Sequence, residues 1–440
     1  MKFKEFLLLI LIIAAGVFFY HAQTGKLDLD WEFHGDIFFG YDEFIFEESR
    51  VIDPPYPAHL QLTNGHGDVE IQGADVENIT IAFQKIIWRR TEEQANEVNE
   101  KLRLTIDQNE QSLAVGTNRS EFGKKRFETN FKILVPEGMA IEVKNSYGLV
   151  KVAKAGNTRI DNRHGEVDVS FIEGELVITN KYEDVDVSTV SSDCQVENRQ
   201  ADISIHDVGG KVKIGHSYGR IELENIAQDV EIDGSNSEVW GENLEGRVEV
   251  ITSYKKVILH NVGPTKITGK QSRIEVDGVK DSLDIFHRYG EVKLSNLQGN
   301  LLIDGKNVAV NGKSVVGDKI SITSSYRDVD LADFSGETTI SLANGDITLA
   351  PRPLTHPLRV EGRYARIKLF WPSQEKYPFE AHAKGGDIEW NLPFELSFQQ
   401  DNSTKTVKAF SQERDKPSIY FSTSYRTITV EEYPEKPKNQ

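Results

Sequence analysis

The side chains of this sequence that could do chemistry are carboxylates, a few histidines and one thiol, and their spacing limits what each could do. Asp168 and Asp186 share one recurrent position, and Asp184 and Asp328 share another. Paired carboxylates can cleave a glycosidic bond when they face each other across a cleft, and ladders of carboxylate oxygens can hold Ca²⁺. Both pairs, however, fall on outward places of alternating strands, where an acidic face in water is the expected role. The glycine-rich nonapeptide of Ca²⁺-binding β-rolls is absent. His216 and His287 each precede a tyrosine by two residues, and His206 and His260 share a later place. An acid/base or metal pair would need these side chains to converge, whereas at a corner they would hydrogen-bond a turn. Cys194, the single cysteine, occupies an apolar place and reads as a buried small hydrophobe. The sequence has no serine elbow, no zinc-ligand spacing and no phosphate-cradling glycine loop. It therefore assigns no catalytic, cofactor-binding or metal-binding residue.

What carries these side chains is one repeated phrase. Residues 141–152, IEVKNSYGLVKV, are two short alternating strands around an Asn-Ser-Tyr-Gly turn, and copies begin at Ile141, Thr158, Leu176, Cys194, Val212, Val230, Val248, Thr265, Leu283, Leu301, Ile320, Thr338 and Leu358. Apolar residues recur at places 1, 3, 10 and 12, as in Leu176, Ile178, Val185 and Val187, and again at place 15, as in Val190. Alternation with period two buries one face and leaves the other wet. No copy can cover its own buried face, so neighbours must stack, which predicts an all-β parallel β-helix or solenoid built from repeats of about 18 residues.

A second period runs through the first. Place 7 holds Tyr147, Tyr182, Tyr218, Tyr254, Tyr289, Tyr326 and Tyr364 in odd copies, and His164, Gln200, Asn236, Gln271, Asn307 and Asn344 in even ones. Place 5 alternates as well, with Gly234, Gly269 and Gly305 against His216, Thr252, His287 and Ser324. The simplest reading pairs the repeats into coils of about 36 residues, with the tyrosines on one edge about 4.8 Å apart and the amides on the other. An 18-residue coil would instead set Tyr182 on His164. On either reading the seven tyrosines are the candidate contact ladder.

Before the repeats, residues 1–22 combine Lys2 and Lys4 with an apolar run over residues 6–20. This is an export segment, read as an uncleaved membrane anchor with the alternative of a cleaved signal peptide. The body is then expected in the cell envelope, outside the cytoplasm. An aromatic and acidic lead-in, residues 23–59, contains seven aromatics between Trp31 and Phe46. They are read as capping strands, with a membrane-interface belt as the alternative. Residues 60–140 form an N-terminal β part with one helix near 92–102, opened by Thr91 as N-cap. The repeats then run over 141–370, capping strands over 371–430, and a Pro- and charge-rich tail over 431–440. The formal charge of −18, from 51 basic and 69 acidic residues, makes nucleic acid an unexpected partner.

The helix segment TEEQANEVNEKL, the lead-in FKILVPEG at 131–138 and the turns NSYGLVKV, NRHGEVDV and HSYGRIEL resemble the bacterial exported "putative adhesin" β-strand-repeat family, over roughly residues 45–370. The resemblance implies an anchored envelope protein with a β-helical body and no catalytic residue to carry over. This chain departs from it at TSYK (252–255) and SSYR (324–327), where the turn glycine is dropped. The expected function is non-enzymatic adhesion or scaffolding with a glycan or envelope-protein partner. Alternatives are a carbohydrate-active β-helix enzyme and a sensory scaffold of an envelope-stress system.

Overall fold

A computed structural model describes residues 40–123 and 125–433. The anchor segment 6–20, the aromatics Trp31, Phe33, Phe38 and Phe39, Lys124 and the tail 434–440 lie outside the described residues. Among the described residues no helix is long and apolar enough to cross a membrane.

Every repeat makes one turn of a β-solenoid and gives one strand to each of two parallel ladders. In the first ladder Thr158–Asp161 lies between Ala140–Lys144 and Leu176–Thr179, with Thr158 facing Ile141 on one side and Leu176 on the other. In the second, Val167–Ile172 pairs with Val185–Val190, Val167 facing Val185 and Ile172 facing Val190. The register step is thus one repeat and not two. The expected 36-residue coil is corrected: His164 stacks between Tyr147 and Tyr182, at ring-centroid distances of 4.6 and 4.5 Å. Tyrosines and their alternates occupy one edge, and successive tyrosines are two coils apart, about 9.6 Å at the spacing of neighbouring strands.

Places 1, 3, 10, 12 and 15 point inward as their periodicity requires. In the coil beginning at Leu176 all five, Leu176, Ile178, Val185, Val187 and Val190, are at most 1% exposed. Burying an aliphatic side chain stabilises by roughly 1.5–3 kcal/mol, so each added coil gains several such increments. Cys194 takes its place in the same column, buried, with its thiol pKa pushed up to about 12 by loss of solvation. An inert structural role follows. Place 15 can turn inward because place 14 is left-handed, as at Asn225, Asn243 and Asn261 with φ of 57°, 54° and 51°. Asn tolerates this conformation, and the three side chains link coil to coil, Asn243 Nδ2 donating to Asn225 Oδ1 and Asn261 Nδ2 to Asn243 Oδ1.

Both ends of the stack share one topology. At the N-terminal end the coil His59–Thr63 with Val69–Ala74 is flanked on one side by Ala140–Lys144 and Val150–Ala155, and on the other by Leu113–Thr117 and Phe127–Pro136. Ile79–Arg89 and Leu104–Gln108 then pair antiparallel on that outer coil. Between these two strands runs the expected helix, Glu92–Lys101, with the Thr91 side chain accepting from the Gln94 amide. It covers a small separate core of Ile87, Ala95, Leu102 and Phe127, against which Phe44 and Phe46 pack. At the C-terminal end Phe379–Lys384 and Ile388–Asn391 form the outer coil. The later strands Ile419–Ser424 and Ile428–Glu432 slide in between it and the coil of Leu358–Gly362 and Ala365–Trp371. The antiparallel hairpin Ser397–Asp401 and Thr404–Ala409 covers the end.

Candidate functional site

The edge between places 5 and 9 is where the predicted site residues come together. All seven candidate tyrosines line it and all are exposed, from 38% at Tyr182 to 64% at Tyr326. Tyr425 extends the row, stacking on Tyr364 at 5.4 Å because the inserted last coil lies directly against that one. At the other end the row is a continuous aromatic stack, His66, Tyr147, His164 and Tyr182. Further along, Gln200, Asn236, Gln271, Asn307 and Asn344 separate the rings.

The side chains that hold this edge lie one layer inward, at place 5. Asn145, Asn162, Asn180 and Asn198 are at most 5% exposed. Each sends its Nδ2 to the place-8 carbonyl of the preceding coil: Asn162 to Gly148 (3.2 Å), Asn180 to Gly165 (3.2 Å) and Asn198 to Glu183 (3.1 Å). His216 continues the rule through Nε2 to the Ala201 carbonyl and His287 to that of Ser272, both 2.9 Å. Ser324 donates to Val308 O at 2.7 Å and Thr423 to Ala365 O at 2.6 Å. The two histidines are therefore turn braces, and burial holds both below the ordinary imidazole pKa. The amide column was missed from sequence, although a polar residue recurring at a place of inward parity was its signal.

Glycine use follows from the same layer. In the coils of Ile141, Thr158 and Val212 the turn glycine takes positive φ at place 8, as at Gly148 (114°) and Gly219 (140°), and in the coil of Cys194 Ala201 does so (71°). In the coils from Val230 to Ile320 the left-handed residue is at place 7, as at Tyr254 (68°) and Tyr326 (62°), and at Tyr289 (64°) even though Gly290 follows it. This settles the shape of the TSYK and SSYR turns. In the coils of Asn236, Gln271 and Asn307, place 5 is Gly and the place-8 side chain, Ser237, Ser272 or Val308, turns inward and is buried. A Cβ on Gly269 would sit 2.6 Å from His287 Nδ1. From Val212 to Ile320 the second period in the sequence is therefore an alternation of two turn types, large against small, within 18-residue coils.

The carboxylates do not assemble into a reaction centre. Asp184 and Asp328 belong to coils far apart in the stack, and each accepts the backbone N–H of the next coil, Asp202 and Asp346, at 2.8 Å. Asp168 and Asp186 are register neighbours on one face. Asp168 is salt-bridged to Lys151 at 2.5 Å. Burial, then the charges of Asp184 and Asp168, raise the pKa of Asp186. His206 and His260 each lie beside one carboxylate, Asp207 and Asp277, at 3.5 and 3.9 Å. Among the described residues no three His, Cys, Asp or Glu side chains gather into a cation site.

Coils that each give one strand to two parallel ladders, closed by antiparallel strands, define a β-solenoid of about 13 turns. Residues 58–238 match the family model described as Toastrack DUF4097, a domain of unknown function. No curated protein matches the chain. A crystal structure of a "putative cell adhesion protein" from Clostridium sporogenes aligns with 89% of this chain and 100% of that one, at 11% identity and a TM-score of 0.17.

Proposed function

We propose that this is a non-enzymatic cell-envelope protein, anchored through residues 6–20, whose solenoid presents its tyrosine edge to a glycan or an envelope protein in adhesion or scaffolding. The observation that carries this reading is the exposure of Tyr147, Tyr182, Tyr218, Tyr254, Tyr289, Tyr326 and Tyr364 in one row, while the bracing of the corner falls to place 5. Rings that neither fill the core nor close the turn remain available as flat apolar surface with a polar tip. Repetition at about 9.6 Å suits a partner that also repeats. Replacing Tyr218, Tyr254 and Tyr289 together by Ser tests it. The expected result is loss of binding to cell-wall glycan or to envelope fractions with the melting temperature nearly unchanged. Loss of folding in step with binding would instead make the rings part of the corner's stability.

A further inference from the structure

We infer that the later half of this edge is a binding groove for a linear acidic polysaccharide, an inference that rests on the contact role proposed for the tyrosine edge and names its ligand class. At places 5 to 9 of the five coils that begin at Val248, Thr265, Leu283, Leu301 and Ile320, seven basic residues stand against two acidic ones, Glu291 and Asp328. The same places in the five coils from Ile141 to Val212 carry four of each, and the whole chain is at −18. The later edge is thus a local reversal of sign.

Most of that positive charge is unspent. Lys256 and Arg273 are paired with Glu275, at 3.1 and 2.8 Å. Lys255, Lys270, Arg288, Lys306 and Arg327 are exposed and, among the described residues, have neither an ion pair nor a side-chain hydrogen bond. Lys270 and Arg288 are direct register partners, an arrangement of like charges that disfavours the fold. Elsewhere neighbouring coils set opposite charges together, as in Lys213 with Glu231 and Lys266 with Glu249.

Lys270, Arg288 and Lys306 line one groove of about 550 Å³ whose floor includes Ile251 and Phe286. These two are 47% and 37% exposed and lie on either side of Thr268 in register. Asp304, in the same groove, is an acceptor for a hydroxyl. Three cations at steps of about 4.8 Å, beside exposed apolar side chains at about twice that step, match a chain that alternates carboxylates with sugar faces. Charge density separates this ligand from nucleic acid. A duplex carries one charge per about 1.7 Å, which the acidic remainder of the protein would repel more strongly than a sparsely charged glycan.

The test is equilibrium binding of the full-length protein to polygalacturonate, to neutral dextran and to double-stranded DNA, with the triple variant Lys270→Gln, Arg288→Gln, Lys306→Gln beside the wild type. Polygalacturonate should bind, more weakly as salt rises from about 0.05 to about 0.5 M, and the triple variant should lose roughly tenfold or more in affinity. Its melting temperature should be unchanged or higher, because like charges have been removed. Phe286→Ser should weaken binding without altering the salt dependence. Undiminished polygalacturonate affinity in the triple variant, or tighter binding of DNA, would overturn the inference. Binding of dextran but not polygalacturonate would also overturn it while leaving the contact edge standing. Binding of neither glycan, together with unchanged envelope-fraction binding in the tyrosine variant, would remove both.

Discussion

The coils from Ile141 to Val212 and those from Val230 to Ile320 share one register and one core, yet they solve the same corner differently. Four of the five earlier coils carry a buried asparagine at place 5, from Asn145 to Asn198, and the left-handed residue, where there is one, lies at place 8, as Gly148, Gly165, Gly219 or Ala201. The later coils alternate His, Thr or Ser with Gly at place 5 and move the left-handed residue to place 7. Wherever place 5 is polar, in either set, its side chain supplies a donor for the place-8 carbonyl of the preceding coil, as Asn180 does for Gly165 and Ser324 for Val308. A buried carbonyl left without one costs about 1–3 kcal/mol, so what is held constant is the hydrogen bond and not the residue. Freed from the glycine turn, the later edge can carry Lys255 and Arg327 next to its tyrosines.

The sharpest way to break this comparison is at the turn glycines. Gly219→Ala places a Cβ against the Ala201 carbonyl oxygen at a φ of 140°. It should destabilise by about 3 kcal/mol or more. Tyr326→Gly, at the equivalent corner without a turn glycine, should change stability by no more than about 1 kcal/mol; chemical denaturation of both variants gives the contrast. Next comes Asn180→Ala, which removes donors from the Gly165 and Glu183 carbonyls and should cost about 2–3 kcal/mol. Gly269→Ala crowds His287 Nδ1 and should cost about 1–2 kcal/mol, most of it recovered in a His287→Ser background, so a double-mutant cycle should return a clear coupling energy. The smallest effect is on pH. His216 and His287 have folded pKa values lowered first by burial, so the unfolded chain takes up protons before the folded one. Stability is then level above about pH 6.5 and declines below it. Urea titrations at pH 7.5 and 5.5, wild type against His216→Asn with His287→Asn, should show the decline only in the wild type; an equal decline in both would place the acid sensitivity elsewhere.

The strands, the inward places and the helix at Glu92–Lys101 were open to sequence reading because periodicity and capping are local. The coil length was misjudged for a physical reason. Between Val212 and Ile320 the alternation of Tyr with Gln or Asn records which turn type each coil uses, and not the length of the coil. His216 against Gly234, or His287 against Gly269, is a contact between neighbours in space that the sequence spreads over eighteen residues. The seven tyrosines were found by pattern alone. The basic groove was not, because Lys270, Arg288 and Lys306 become one surface only once adjacent coils are in register. Nor could pairing preferences foretell that Ile419–Glu432 would enter between two coils laid down before it.

That last insertion bears on how the molecule would respond to force. The strands nearest the C-terminus do not lie at the outer end of the stack. They are flanked on both sides, by the coil 358–371 and the coil 379–391, so tension on the tail cannot simply unwind a terminal coil. It must draw a layer out from between two neighbours, breaking both parallel ladders at once. The coil 59–74 is enclosed in the same way at the opposite end. A rod gripped inside its own caps resists fraying from either tip, and any lengthening of the rod by repeat duplication has to occur between the caps.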